Sequence, residues 1–399
     1  MRVFDQRLDR RTFVASLPAL WMFSRGSLAP AFGADEAHKP GPTRWASFRH
    51  DPLQQGVAGC KFPDKWKQLW KYPAADGVAS TAAIVGDHVY CGMLSGDAVC
   101  LERLTGKLAW TYRSIAEPDP KVFAPGFKSS PTVTEDSVYL GDEDGVFHAI
   151  DRATGKQRWT FTTMAEIVSS AAIDGDHVLF GSYDSFLYCL DAKTGAEVWK
   201  FQTQDRVNCT PAIAEGFTFV AGCDEHLRVI NLKDGMQHAD IPLQTYLIAS
   251  PAVIGDKLYV GTHNGEVLEV DWKLQQITWR YTSNAQNSRP IHGSAAITKE
   301  VVVVGGQDKK VRCVDRANGK EIWSFETRGI VDSSPVIVGD KVFVGAHDGH
   351  LYALSLATGE LLWKEQLGRR ITAGPAIGEE VLVVGTEMND GFLFCYGKG

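Results

Sequence analysis

The chain has 399 residues, 44% of them hydrophobic, 10% aromatic and 22% charged, with 39 Gly and 17 Pro, a mixture that excludes disorder, collagen and a membrane bundle. Its formal charge is −7 and it carries no Lys/Arg run, which excludes a nucleic-acid or anionic-membrane surface. At about 150 residues per domain the length suggests two or three domains, unless one repeated all-β unit spends the whole chain.

Residues 1–34 read as a removable export signal. Arg2, Arg7, Arg10, Arg11 and Arg25 outnumber Asp5 and Asp9, and the apolar run from Phe13 to Phe23, broken by Pro18, follows at once. That run is too short for the roughly 20 residues of a spanning helix. The small residues of Ala29-Pro-Ala-Phe-Gly33 suit a signal peptidase. Arg10, Arg11 and Phe13 resemble a twin-arginine export motif, with Asp9 where Ser or Thr is usual and Ala15 where Lys is common. No lipoprotein cysteine follows, so the expected location is the periplasm or the exterior, with no membrane span in the mature chain. Residues 35–65 form a leader that contains Trp45-Ala-Ser-Phe48-Arg49-His50-Asp51.

From residue 66 onward the chain repeats every 40 residues or so. Ser129–Trp159, Ser169–Trp199 and Ser333–Trp363 share one order: a Ser-rich start, three apolar strands separated by turns, Thr-Gly, and a tryptophan strand. The middle turn recurs as Ser95-Gly96, Asp144-Gly145, Asp184-Ser185, Asp224-Glu225, Asn264-Gly265, Asp308-Lys309, Asp348-Gly349 and Asp390-Gly391. Asn-Gly and Asp-Gly between alternating strands predict two-residue type I′ hairpins. Tryptophans recur at Trp110, Trp159, Trp199, Trp279, Trp323 and Trp363, with His238 in the corresponding place of the fourth repeat. The eighth repeat stops short of its tryptophan strand, and the missing strand stands at the other end as Trp66-Lys-Gln-Leu-Trp70-Lys-Tyr72. An all-β, eight-bladed propeller of four-stranded blades follows, closed by its N-terminal strand over residues 66–399.

Ala149-Ile-Asp151-Arg-Ala-Thr154-Gly155-Lys-Gln-Arg-Trp159 resembles the tryptophan-docking motif of pyrroloquinoline-quinone (PQQ) propellers, and Cys189–Trp199 and Cys313–Trp323 repeat it. The resemblance implies that Trp70 and the six later tryptophans dock between blades. That superfamily holds quinoprotein dehydrogenases, with PQQ and Ca²⁺ on the axis, and BamB-like binding scaffolds of the bacterial envelope. The dehydrogenases' vicinal cysteine pair is absent, and Asn208 with Asp332 is too small an oxygen set for calcium. The chain therefore reads as a non-catalytic, monomeric scaffold for a protein or other envelope macromolecule, with no cofactor. A minimal PQQ-binding dehydrogenase and a structural module of a larger complex are the alternatives. The leader resembles the Trp-x-x-Phe-Arg segment of secreted PQQ-like repeat proteins.

Propeller geometry places blade-linking loops and middle turns on one face. The expected recognition surface there comprises Lys128, Tyr183, Arg206, Asn208, Tyr246, His263, Arg289, His292, Arg328, Asp332 and His347. Equivalent positions around a wide ring stand too far apart to share a metal. The linker 114–127, rich in proline, could cap the channel. Counting outward from Ser95-Gly96 sets Cys91 opposite Cys100, a possible disulfide. Cys209 and Cys223 are near neighbours on adjacent strands, and Cys60 has no evident partner.

Overall fold

The computed structural model describes residues 44–117, 119, 121–283 and 288–398. The export-signal reading, including Arg10, Arg11 and Phe13, lies outside them. Short apolar strands between Gly-rich turns pair as antiparallel meanders, giving eight sheets of four meander strands each, one of which gains a fifth strand from the leader. Seven cover residues 83–113, 132–162, 172–202, 212–242, 252–282, 296–326 and 336–366, and the eighth joins 376–398 to Trp66–Ala74. We number these blades 1 to 8 and letter their strands a to d from the axis outward. Burial follows that order: in blade 1, strand His88–Gly92 is buried almost throughout, whereas outer strand Leu108–Arg113 is largely exposed. Apolar side chains on both faces of each middle strand therefore fill the spaces between blades. No described helix is long and apolar enough to cross a membrane.

Closure takes the expected form. Trp66–Ala74 lies antiparallel to Gly391–Lys398 as the outer strand of blade 8. Trp70 then donates its indole N–H to the Arg103 carbonyl of blade 1 at 2.7 Å, joining the last blade to the first. The same bond recurs from Trp110 to Arg152, Trp159 to Ala192, Trp199 to Leu232, Trp279 to Arg316 and Trp323 to Leu356. Trp363 differs because blade 8 has no c–d turn, and its ring packs edge-on against Trp66 and Tyr396.

Two register expectations are corrected. The b–c hairpins of blades 1 to 7 hold three loop residues, not two, and that of blade 8 holds five, 387–391: in blade 2 Asp142 and Val146 pair around 143–145, and Gly145 N–H bonds Asp142 O. Only the third loop residue has positive φ (Gly96 82°, Gly145 82°). This is a type I turn followed by a left-handed residue rather than type I′. The additional residue shifts pairing by one, so Cys91 faces Val99 while Cys100 faces Tyr90. A one-residue shift sends alternate side chains to opposite faces of a sheet. The two sulfurs accordingly belong to different core clusters, and the Cys91–Cys100 disulfide is ruled out by this register. All eight cysteines are free, and burial pushes the Cys91 and Cys100 thiols up to about 12. Cys223 stands instead beside Asn208, whose amide lies 2.9 Å from its sulfur.

The tryptophan position of blade 4 is Ala239, paired with Val229, and not His238, which packs on Phe217. Trp272, from the c–d turn of blade 5, fills that place from the opposite side by packing on Phe217 and Phe219.

The leader is not an appendage. Residues 45–58 run along the inner strands, and their carbonyls accept N–H groups from successive blades. Trp45 accepts from Ile84, Ala46 from Val133, Pro52 from Ile213, Leu53 from Val253, Gln55 from Ile297 and Gly56 from Ile337, at 2.7–3.0 Å. Val57–Ala58 then continues as a parallel strand on blade 7. An innermost strand would otherwise present these donors unpaired, so the leader satisfies six blades. Arg49 is 1% exposed and donates to the Pro335 and Ala295 carbonyls, both at 2.7 Å. Burial pulls its guanidinium down to about 9, against the favourable charge of Asp51.

Candidate functional site

Above the leader the axis holds a cavity of about 190 Å³, with Phe48 among its lining residues. Its wall is a girdle of hydroxyls contributed by the first turn of each strand a. Backbone N–H groups of Thr81, Ser130, Ser170, Thr210, Ser250 and Ser294 each donate to the next blade's Ser or Thr oxygen, at 2.8–3.1 Å. Blade 8 carries Gly374 here, where an added Cβ would stand 3.1 Å from the Ser334 carbonyl and 3.2 Å from the Thr81 hydroxyl. The hydroxyl chain is thus interrupted at the blade that closes the ring.

One step further out, the blade-linking loops and b–c turns share a face and are bonded together. Tyr183 N–H donates to Glu166 O, Cys223 to Arg206, His263 to Tyr246, Gln307 to Pro290 and His347 to Ile330. This repeated bond fixes the height of every turn relative to its loop. Arg206, Tyr246, His263, Arg289 and Arg328 are exposed, whereas Tyr183, Asn208, His292, Asp332 and His347 are half-buried toward the axis.

Three groupings form among them. Lys128 lies 2.7 Å from Glu143 and 2.8 Å from Glu166. Burial alone would lower its pKa, but the hydrogen bonds it donates to these two carboxylates raise it above the usual lysine range. Arg206 covers the Tyr183 ring at 5.1 Å. The third grouping spans blades 5, 6 and 7. Gln307 Nε2 lies 2.9 Å from His292 Nδ1 and 3.0 Å from Asp332 Oδ1, and His347 Nε2 is 3.1 Å from Asp332 Oδ2. His263 stacks on His292 with ring centres 5.7 Å apart. Desolvation holds His292 below the ordinary histidine range, more than the nearby Asp332 charge raises it. Asp332 is pushed up by burial, yet bonds from His347 and Gln307 bring it below the usual carboxylate value.

Sequence spacing missed Glu166 and Glu387, because their loops vary between repeats. Glu387 accepts from Thr372 at 2.7 Å and pairs with Arg370. Lys121, Val122, Phe123 and Ala124 of the linker line a groove of about 790 Å³ between blades 8 and 1, away from the axial channel, and Phe123 is 78% exposed.

PQQ with Ca²⁺ makes specific demands of an axial site: cations opposite three carboxylates, and a cluster of oxygen ligands around calcium. The lysine lining this cavity, Lys128, is already engaged by Glu143 and Glu166. Among the described residues, no group of three or more His, Cys, Asp or Glu is placed to hold a metal. The donor set therefore does not fit that cofactor.

Eight meanders, docked by indoles around an axis, define a propeller of the PQQ-like repeat class. The family model described as outer membrane protein assembly factor BamB matches residues 63–171, 148–308 and 275–394. The chain belongs to that family. No curated relative matches it by sequence. Among solved structures, BamB from Moraxella catarrhalis aligns with TM-score 0.69 at 18% identity, over 84% of this chain and 98% of that one. The computationally designed Ika8 protein gives 0.71 at 18% identity, over 83% and 100%. Quinohemoprotein alcohol dehydrogenase from Comamonas testosteroni gives 0.74 at 14%, over 90% and 81%. At these identities the likeness is one of fold, shared by a scaffold, a designed protein and an enzyme.

Proposed function

We propose that the protein is a non-catalytic binding scaffold of the bacterial cell envelope, engaging a protein partner through the face that carries its blade-linking loops and b–c turns. The observation that carries this reading is the filled bore. The chain's own leader occupies the inner end, and the residues around the remaining cavity are committed to one another, which leaves the wide face as the surface for recognition. Met164, Tyr246 and Ile248 are 92%, 50% and 39% exposed in its loops, which also carry the exposed Arg206 and Arg328. Exposed Met, Tyr and Arg are the residue types that interfaces concentrate. Export of residues 35–399 to the periplasm, and a monomeric ring, complete the proposal.

The test is crosslinking in the envelope followed by capture of the mature chain, with Tyr246→Ala plus Arg206→Glu compared against Leu104→Glu on the opposite face. One stoichiometric protein lost only with the first variant is the expected result. Equal capture by both variants overturns the assignment of the face. Saturable thermal stabilisation by PQQ with Ca²⁺ overturns the non-catalytic reading in favour of a quinoprotein.

A further inference from the structure

We propose that His263 and His292 form an open binding site for a divalent late transition-metal ion, zinc or copper, at the rim of the axial cavity. The pair does not occupy equivalent repeat positions. His263 stands in the b–c turn of blade 5 and His292 at the start of strand a in blade 6, so the loop-to-turn bonding brings neighbouring blades' side chains together where equivalent positions stay apart.

Nε2 of His292 is 3.5 Å from Nδ1 of His263, and the two rings lie 21° from parallel. Two nitrogens at that separation, each about 2.05 Å from one ion, subtend about 117° at the metal, near the tetrahedral angle, once each ring turns by about 30° to aim its lone pair at the ion. Imidazole is a ligand suited to zinc and copper rather than to calcium or magnesium.

The far side of His292 is prepared for this role. Its Nδ1 lies 3.6 Å from Asp332 Oδ1 and 2.9 Å from the Gln307 amide nitrogen. Without metal, the Gln307 N–H donates to Nδ1, so the ring proton resides on Nε2 and points toward His263. When an ion takes that place, the proton leaves Nε2 and one is taken up at Nδ1, where Asp332 Oδ1 accepts it as the Gln307 amide moves off Nδ1 and keeps its own bond to the carboxylate. The imidazole stays neutral throughout. A carboxylate behind a ligating histidine orients the ring and raises its basicity, and removing it costs about 10- to 100-fold in metal affinity. Asp332 is in turn 3.1 Å from His347, which steadies it.

Two protein ligands leave at least two coordination positions free, and His263 is exposed. Water fills them in the isolated protein. The site stands on this geometry alone, so it holds or fails separately from the scaffold reading.

Metal-free mature protein is titrated with Zn²⁺ and with Cu²⁺ against a chromophoric chelator. One equivalent is expected to bind. His263→Ala and His292→Ala each lose it, and Asp332→Asn weakens it about 10- to 100-fold with the metal-free melting temperature unchanged. His263 lies on the surface, so its replacement tests the site even if the His292 variant folds poorly. Unchanged stoichiometry and affinity in His263→Ala, or no equivalent bound by the parent protein, overturns the site. An unaltered affinity in Asp332→Asn removes Asp332 from its positioning role.

Discussion

The junction between blades 3 and 4 and the junction between blades 4 and 5 solve one packing problem in opposite directions. At the first, Trp199 reaches forward from blade 4's predecessor in the ring, strand d of blade 3, to bond Leu232 O, and its indole lies against Gly235. At the second, the forward residue is Ala239, and Trp272 reaches back from blade 5 while donating to Gly255 within its own blade. The turn residue changes in step: Gly235 has φ 69°, whereas Gln275 occupies the matching place at φ 56°. A Cβ added to Gly235 would stand 2.7 Å from the Trp199 ring. Glycine at these turns is therefore required by the overlying indole, since a left-handed backbone alone is tolerated by glutamine at about 1–2 kcal/mol.

The largest effect is expected from deleting residues 66–72, which removes both an outer strand and the Trp70 junction. It should cost more than about 5 kcal/mol, read as a broad, lowered melting transition. An unchanged transition would show that the ring does not depend on this docking. Next in size, Trp199→Ala and Trp272→Ala should each lose about 3–5 kcal/mol in denaturant titrations, the cost of deleting a buried indole. If only the first does so, Trp272 is not the replacement it is taken for here. Gly235→Gln should cost about 3 kcal/mol through overlap and strain, while Gln275→Gly should stay within about 1 kcal/mol of the parent. Equal losses would return the explanation to backbone conformation. Smallest is a change of zero: the denatured protein should titrate eight thiols with or without prior reduction. Six, with the bond mapped to Cys91 and Cys100, would contradict the three-residue hairpin loop.

Repetition made the ring readable, because eight copies of one strand–turn pattern reinforce each other and the complementary incomplete ends require closure. What escaped was whatever broke the period. Asx-Gly marks two-residue and three-residue hairpins alike, so the pairing of Cys91 was displaced by one. Ala239 was hidden beside His238 because a single substituted repeat has no tryptophan to anchor its alignment. The leader has no second copy, and nothing in Trp45–Ala58 announces that its carbonyls match donors on six blades. At the candidate face, residues were compared by equivalent position, whereas His263 meets His292 through two different positions on adjacent blades.

The leader also sets the order in which the molecule becomes complete. Arg49 is among the first residues made, yet its acceptors Ala295 and Pro335 lie 246 and 286 residues downstream. At about 5–20 residues per second it waits on the order of tens of seconds for them. A chain that ends short of residue 295 would bury a cation with neither carbonyl to receive it, or leave the bore open. The earliest segment thus acts as a check on blades 6 and 7, and only a chain that has reached both can satisfy it.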